Sequence, residues 1–519
     1  MRLKVALIQH RAYDVDHSQE GLADTLALTD QAAQSKPDLI VLPECSYPGY
    51  YLGLSGDPGK SVQGWHDALR SFRFAAQKHG VYLSVGLAEA QGDKIYNSAF
   101  LFARDGSVVG TARKTFLWHF DRQWFAPGDN YSVFETDIGN IGMIICADGR
   151  LPEISRALAL KGADIIIDTT NWITSGRGSS SLHNPQVDHM IPTRAYENGV
   201  WFFCANKVGR EADTIVYCGQ SIAVSPDGQT LMKGSTDRQE IVLIDADVQP
   251  GRRAQALAMR KEYFNESFLL LNRPNDEVPL AKTLRDPIVP GKETALVGAV
   301  QVDRDISLKD YLEQASFAAR KLCEQRASLV LLPESPCTAV RNASALIRDA
   351  FTPIARQFGA YIALTAGRNP STLVLGPLDF GERAFTSSSE LLTLNGLRIG
   401  FMKGKEGMVP EVARSLFLQG ADVIAWQGDL GSGHQRSLAV TRALENRAYV
   451  IFANCSSRDE RNSLIVSPDG RILAETFPGT KQGILAQVSA GVARVKQVTW
   501  GTDVFRDRLP HLYGELTKV

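Results

Sequence analysis

The sequence lacks an excess of charge of either sign: 56 Lys and Arg stand against 57 Asp and Glu, a formal net charge of -1. No overall field draws in DNA, RNA or anionic lipid, and no basic run with interleaved aromatics occurs, so a small molecule is the default partner. Long apolar runs are missing too. The opening MRLKVALIQH is too short for a signal peptide and ends in Gln9 and His10, and nothing later approaches the roughly 18 uninterrupted apolar residues of a membrane span. No membrane partner and a cytoplasmic location are therefore expected. The seven cysteines, Cys45, Cys146, Cys204, Cys218, Cys323, Cys337 and Cys455, form neither a compact disulfide framework nor metal-like pairs, which fits a reducing compartment. No histidine triplet has zinc-ligand spacing, and His119, His183 and His189 read as polar loop or helix residues. No metal and no cofactor are expected. Asp227-Gly228 and Asp469-Gly470 are turns, not phosphate loops.

What the sequence does contain is a statement made twice. Residues 141–164 and 399–422 share Ile141, Gly142, Pro152, Glu153, Gly162 and Asp164 with Ile399, Gly400, Pro410, Glu411, Gly420 and Asp422, a shift of 258. The position matching Cys146 is Gly404. A repeat that keeps its helix start and stop but replaces a nucleophilic side chain by hydrogen points to duplication of a catalytic domain and loss of one site. At 519 residues the chain is too long for one ordinary core, and the repeat sets the count at two domains. The expected division is 1–265, a Pro-rich and charged connection over 266–290, and 291–519.

Within the first repeat, apolar runs at 5–9 and 39–43 read as strands around a helix at 18–34, and a second helix over Trp65–His79 stops at Gly80. The runs at 97–102 and Val108–Arg113 flank Asp105-Gly106 and read as a hairpin, with Lys114 just beyond it. The run 141–145 is a buried strand with Cys146 at its carboxyl end, and a helix follows from Pro152. The second half repeats this order through Leu332-Pro333-Glu334, Arg442-Ala443-Leu444-Glu445-Asn446 and Ser467-Pro468-Asp469-Gly470. Gly80 to Gly142 spans 62 positions, whereas Gly359 to Gly400 spans 41 and contains no lysine, so the second copy lacks the segment that bears Lys114.

Leu42-Pro43-Glu44, then Arg113-Lys114 with Phe125-Ala126-Pro127-Gly128, then Gly142 to Cys146 with Ala147-Asp148-Gly149-Arg150-Leu151-Pro152-Glu153, resemble the carbon-nitrogen hydrolase, or nitrilase-like, superfamily. Three weak motifs in family order make a strong one. The resemblance implies an α/β fold, an α-β-β-α sandwich in two tandem copies packed as an intramolecular pseudo-dimer, itself free to assemble into a homo-oligomer. It implies that Cys146 attacks a carbonyl carbon, Glu44 moves the proton, and Lys114 stabilises the oxyanion with the backbone N–H after the nucleophile. Asp121 stands where many members carry a glutamate, one methylene longer, and is either an orienting carboxylate or structural. Phe116 departs from the Arg-Lys-x-His pattern, so no histidine role is carried over there.

Tyr50, Trp118 and Trp172 follow the motif residues and are candidates to wall a pocket, with Asn171 a candidate contact. Arg150 is suited to grip a substrate carboxylate, although its neighbour Glu153 favours a bracing pair. The leading function is hydrolysis of a small linear amide or N-carbamoyl compound through a cysteine thioester. The run Ala147-Asp148-Gly149-Arg150 and Asn206-Lys207-Val208-Gly209 look closer to amidases and carbamoylases than to nitrilases. Nitrile hydrolysis, acyl transfer to an amine and a non-catalytic sensing scaffold are the alternatives.

Overall fold

The computed structural model describes residues 1–53, 57–174, 182–249, 251–287, 293–335, 343–365, 371–428, 433–456 and 462–519. Cys337 and Pro290 lie outside the described residues. The chain forms two compact units: residues 1–261 with 499–503 and 507–518, and residues 262–498 with 504–506 and 519.

In the first unit, β1 (Arg2–Gln9), α1 (Ser18–Ala33), β2 (Leu39–Val41), α2 (Trp65–His79) and β3 (Tyr82–Gln91) make two parallel crossovers. β4 (Lys94–Phe102) and β5 (Val108–Arg113) continue antiparallel from β3, through the turn expected at Asp105-Gly106. The second sheet is built from β6 (Val133–Thr136), β7 (Gly139–Ile145), α3 (Pro152–Leu160), β8 (Ile165–Thr169), α4 (Ile191–Asn198), β9 (Trp201–Ala205), β10 (Ile222–Val224) and β11 (Thr230–Lys233). β12 (Glu240–Asp247) returns to pair antiparallel with β1. The strand orders are β12-β1-β2-β3-β4-β5 and β11-β10-β9-β8-β7-β6, six strands each. The two sheets face one another, β3 against β8 and β4 and β5 against β7, while α1 and α2 cover the outer face of the first. That is the expected α-β-β-α sandwich.

The local reasons are visible in the residues. α2 buries Trp65, Ala68, Phe72, Ala75 and Ala76, a stripe at helical spacing, and ends at Gly80, whose φ of 61° is the left-handed conformation that glycine adopts without a Cβ clash. The parallel strands β7, β8 and β9 are buried almost throughout, as strands covered on both faces must be, so the two repeats could be found from their apolar runs.

The second unit repeats the order of strands and helices. Its parallel strands include Leu329–Leu331, Tyr361–Thr365, Leu397–Lys403, Val423–Gly428 and Tyr449–Ser456. Arg113 and Val133 bracket 19 residues in the first unit, whereas Phe385 and Leu392 bracket only 6 in the second, which confirms the missing segment.

The boundaries differ from the sequence expectation in two places. The stretch expected to connect the domains carries short helices at Glu266–Leu270 and Pro279–Arg285 and buries Phe268, Leu271 and Leu280, and its described part falls in the second unit. Residues 499–503 and 507–518, expected in the second domain, pack into the first. The apolar anchors in both stretches are single residues, too sparse to register as periodicity. No helix among the described residues is long and apolar enough to cross a membrane.

Candidate active site

Glu44 follows β2 by way of Leu42-Pro43, and its backbone runs so close to β3 that only glycine fits opposite. A Cβ on Gly86 would lie 2.5 Å from the Glu44 Cα and 2.7 Å from the Pro43 carbonyl oxygen. Lys114 follows β5 and is pinned through its backbone: its N–H donates to the Asn97 carbonyl at 2.9 Å and its carbonyl accepts from Gly128 N–H at 2.8 Å. The Phe125-Ala126-Pro127-Gly128 motif therefore fixes the lysine's register.

The side chains meet out of water. Lys114 Nζ lies 2.8 Å from Glu44 Oε1 and 2.7 Å from Asp121 Oδ2, with all three side chains at most 1% exposed. Asn97 Nδ2 also donates to Glu44 Oε1, at 2.6 Å, and Trp118 N–H donates to Asp121 Oδ2 at 2.7 Å. Burial alone would lower the Lys114 pKa, but the Asp121 and Glu44 carboxylates outweigh it and hold the ammonium well above its ordinary value. Glu44 Oε2 has no hydrogen-bond partner among the described residues. The Asp121 carboxylate thus reaches the Lys114 ammonium directly.

Cys146 ends β7 in the left-handed region, φ 52°, and opens the tight turn Cys146–Arg150. Burial, followed by the charge of Glu44, pushes its thiol well above the usual range. Its own N–H donates to Asp168 Oδ1 at 2.6 Å. Asp168 was legible only as the last residue of an apolar run, and the sequence gives no signal that its carboxylate turns under the nucleophile. Asp148 ties this turn to the lysine segment: Oδ2 accepts from Ile145 N–H, and Oδ1 accepts from Thr115 N–H, Thr115 Oγ and Phe116 N–H at 2.8–3.1 Å. Burial pushes its carboxyl up to about 6 in spite of those bonds.

Tyr50, Trp118, Arg150, Asn171 and Trp172 all line one cavity with Glu44, Lys114 and Cys146. Asp121 lies behind Lys114 and does not line it. Both amide atoms of Asn171 are buried without a hydrogen-bond partner among the described residues. Arg150 sits 4.3 Å over the Trp118 ring, and Glu153 meets Arg508 at 3.3 Å. Sequence reasoning missed Ala147, Ile173, Asn184 and Gln186 in the wall. With its amide oriented to satisfy its neighbours, Gln186 donates to the Cys146 carbonyl at 3.0 Å and accepts from Trp172 Nε1 at 3.2 Å.

The motif at 206–209 proves to be a buttress. Asn206 Oδ1 accepts from Trp172 N–H at 2.8 Å, and Lys207 Nζ donates to the Cys45 carbonyl at 2.9 Å. Two residues further on, Glu211 Oε1 accepts from the N–H groups of Tyr50 and Tyr51 at 2.6 and 2.7 Å. His183 pairs with Asp188 at 2.6 Å. Among the described residues, no group of His, Cys, Asp and Glu is placed to hold a metal ion.

In the second unit the equivalent turn, Gly404–Met408, survives without the thiol. Gly404 keeps a left-handed φ of 46°, and a Cβ built on it would lie 3.1 Å from Glu334 Oε1. At the position of Asp168 stands Trp426, whose indole N–H donates to the Gly404 carbonyl at 3.0 Å and whose ring leaves no room for a Cβ on Gly407.

A family model described as carbon-nitrogen hydrolase matches residues 4–256 and again residues 369–497. An (R)-stereoselective amidase of Pseudomonas sp is 29% identical over 301 residues, covering 58% of this chain and 100% of the relative. A nitrilase of Pyrococcus abyssi is 31% identical over 224 residues, covering 43% of this chain and 81% of the relative. The crystal structure of a carbon-nitrogen hydrolase from Helicobacter pylori G27 aligns with a TM-score of 0.45 at 27% identity, covering 50% of this chain and 93% of that one.

Two outcomes are expected of this geometry. Gly86→Ala pushes the Glu44 backbone aside and lowers the rate of any Cys146-dependent reaction by about a hundredfold; a wild-type rate would mean that Glu44 is not held by this close approach. Acidification through about 6 protonates Asp148 and loosens the turn from the lysine segment. The rate of Cys146 alkylation by iodoacetamide should therefore depart, near that pH, from the roughly tenfold fall per pH unit expected of a protonated thiol, and a constant slope from neutrality to below about 5 would count against the tie.

Proposed function

The chain belongs to the carbon-nitrogen hydrolase family, and on that premise we propose that its first unit hydrolyses a small linear amide or N-carbamoyl compound through a Cys146 thioester. One observation carries the reading. A lysine ammonium has three N–H bonds. Those of Lys114 meet Glu44 and Asp121, which leaves the third for an oxyanion beside Cys146, while Glu44 Oε2 remains open to take a proton.

The steps follow from these groups. Glu44 accepts the thiol proton as sulfur bonds to the carbonyl carbon, and the carbonyl electrons move onto oxygen. Lys114 and the Ala147 N–H stabilise that oxyanion, positioned before the charge develops. Collapse breaks the C–N bond, Glu44 returns the proton to the leaving nitrogen, and ammonia or an amine departs. Water, deprotonated by the same carboxylate, attacks the thioester and releases the acid and the thiol. A thiol neutral at rest needs this base, and Glu44 is the carboxylate whose charge acts most strongly on it.

The unpartnered amide of Asn171 favours a substrate that both donates and accepts, as a carboxamide or ureido group does. Arg150, in the wall over Trp118, suits a carboxylate at the far end of such a substrate. Nitrile hydrolysis through the same thioester is the second reading, in keeping with the likeness to a nitrilase.

Ammonia release from a panel of linear amides, N-carbamoyl compounds and nitriles tests the proposal. Cys146→Ala should lower turnover of the accepted substrate by at least about a thousandfold. Turnover surviving that change, or a nitrile accepted in preference to its amide, would overturn the leading reading. The first unit supplies the single catalytic centre, so Cys146→Ala combined with Gly404→Cys should stay inactive, because the second unit has no equivalent of Lys114 and Trp426 fills the site. Recovered turnover in that double variant would refute the single centre.

A further inference from the structure

We propose that residues 499–518, which follow the second repeat in sequence, act as a positioning element for the active site of the first unit. These residues pack with residues 1–261, apart from 504–506, which fall in the second unit. Their contacts converge on the segment between Lys114 and Gly128, the segment the second repeat lacks. Buried Thr502 grips both flanks of Trp118: its Oγ accepts from His119 N–H at 2.8 Å and donates to the Leu117 carbonyl at 3.4 Å. His119 is in the left-handed region at φ 48°, a conformation that a residue with a Cβ holds only when its surroundings impose it.

One turn later Arg122 Nε donates to the Gly501 carbonyl at 2.9 Å and its guanidinium lies 2.7 Å from Asp507 Oδ1. Trp500 rests against His119 and Phe120, with ring centroids 5.6 and 6.3 Å apart. Asp121 sits between these anchors, and its carboxylate holds Lys114. A second group of contacts reaches the nucleophile's side. Arg508 meets Glu153, in the first turn of the helix after Cys146–Arg150, with both side chains buried. Tyr513 stacks on Tyr131, whose hydroxyl shares a hydrogen bond with Thr115, the residue after Lys114. The end of the element is itself fixed, since Arg260 donates to the carbonyls of Leu516 and Lys518 at 2.5 and 3.0 Å.

Thr502, Asp507 and Arg508 touch neither the cavity nor its reacting groups, so they act through Trp118, Asp121 and Glu153. A segment that follows the second repeat in sequence thus packs within the first unit and supports the residues around its site.

The kinetic part of this inference rests on the amidase reading; the alkylation part does not. In the full-length chain, Thr502→Val removes the hydroxyl at constant shape, Thr502→Ser keeps it, and Asp507→Asn breaks the partly exposed pair with Arg122. For Thr502→Val, kcat should fall at least about tenfold with KM little changed, Thr502→Ser should restore it, and the pH profile of Cys146 alkylation by iodoacetamide should shift in Thr502→Val and Asp507→Asn. If Thr502→Val melts far below the wild type, Asp507→Asn decides by the same two readouts. Wild-type kcat and alkylation profiles in the variants would overturn the inference, as would equal losses in Val and Ser variants that track melting temperature. Should the wild type hydrolyse no amide, the amidase reading fails, and the alkylation profiles still decide on the positioning role: shifted profiles support it and unchanged ones refute it.

Discussion

One buried ammonium shared by two buried carboxylates is the constraint around which the first unit is organised. Taking an ion out of water costs several kcal/mol even in a relaxed protein, and a mutual attraction offsets that only with close geometry and further hydrogen bonds. Lys114, Glu44 and Asp121 meet that condition at 2.7–2.8 Å, with Asn97 and the Trp118 N–H as additional donors. The arrangement is tolerated because every backbone that carries it is clamped: Glu44 against Gly86, Lys114 between Asn97 and Gly128, Asp121 by the short helix Asp121–Trp124. The electrostatic consequence falls on Cys146. Burial and then the charge of Glu44 outweigh the pull of the Lys114 ammonium, so the thiol is pushed up instead of forming a resting ion pair.

The duplication separates scaffold from chemistry. Gln9 and Gln301 both accept from the N–H of a serine just before a later strand, Ser221 at 2.9 Å and Ser463 at 3.0 Å. Arg194 and Arg442 both donate Nε to a glycine carbonyl in the tight turn, Gly149 at 3.2 Å and Gly407 at 3.1 Å, and each pairs with the glutamate three residues on. These residues recur because they hold the sandwich and the turn. Of the residues that meet in the cavity or directly beneath it, Glu44 recurs as Glu334, whereas Lys114, Cys146 and Asp168 do not. At the position of Asp168 the second unit carries Trp426, whose indole N–H bonds to the Gly404 carbonyl.

What the sequence made legible follows from distance along the chain. Strands, helices and the turn at Cys146 come from local periodicity and local caps, and the family motifs brought Glu44, Lys114, Cys146 and Asp121 together with the aromatic wall. Asp168 escaped because a carboxylate at the end of an apolar run reads as a strand terminus, and only the folded turn reveals the N–H it accepts. Glu211 escaped because its partners, Tyr50 and Tyr51, are about 160 residues away. Residues 499–518 escaped for the same reason, since no local pattern tells a segment after one repeat that its partners lie in the other. The short helices within the expected connection escaped because its Pro and charged residues mask the few apolar anchors that seat them.

The most direct test of this account is the ionisation of Cys146 itself, followed by the ultraviolet absorbance of the thiolate against pH, with Cys146→Ala subtracting the remaining thiols. The account predicts no Cys146 thiolate at neutral pH and its appearance only well above the ordinary thiol range. A Cys146 thiolate already present at neutral pH would contradict it, because Glu44 would then have no proton to take.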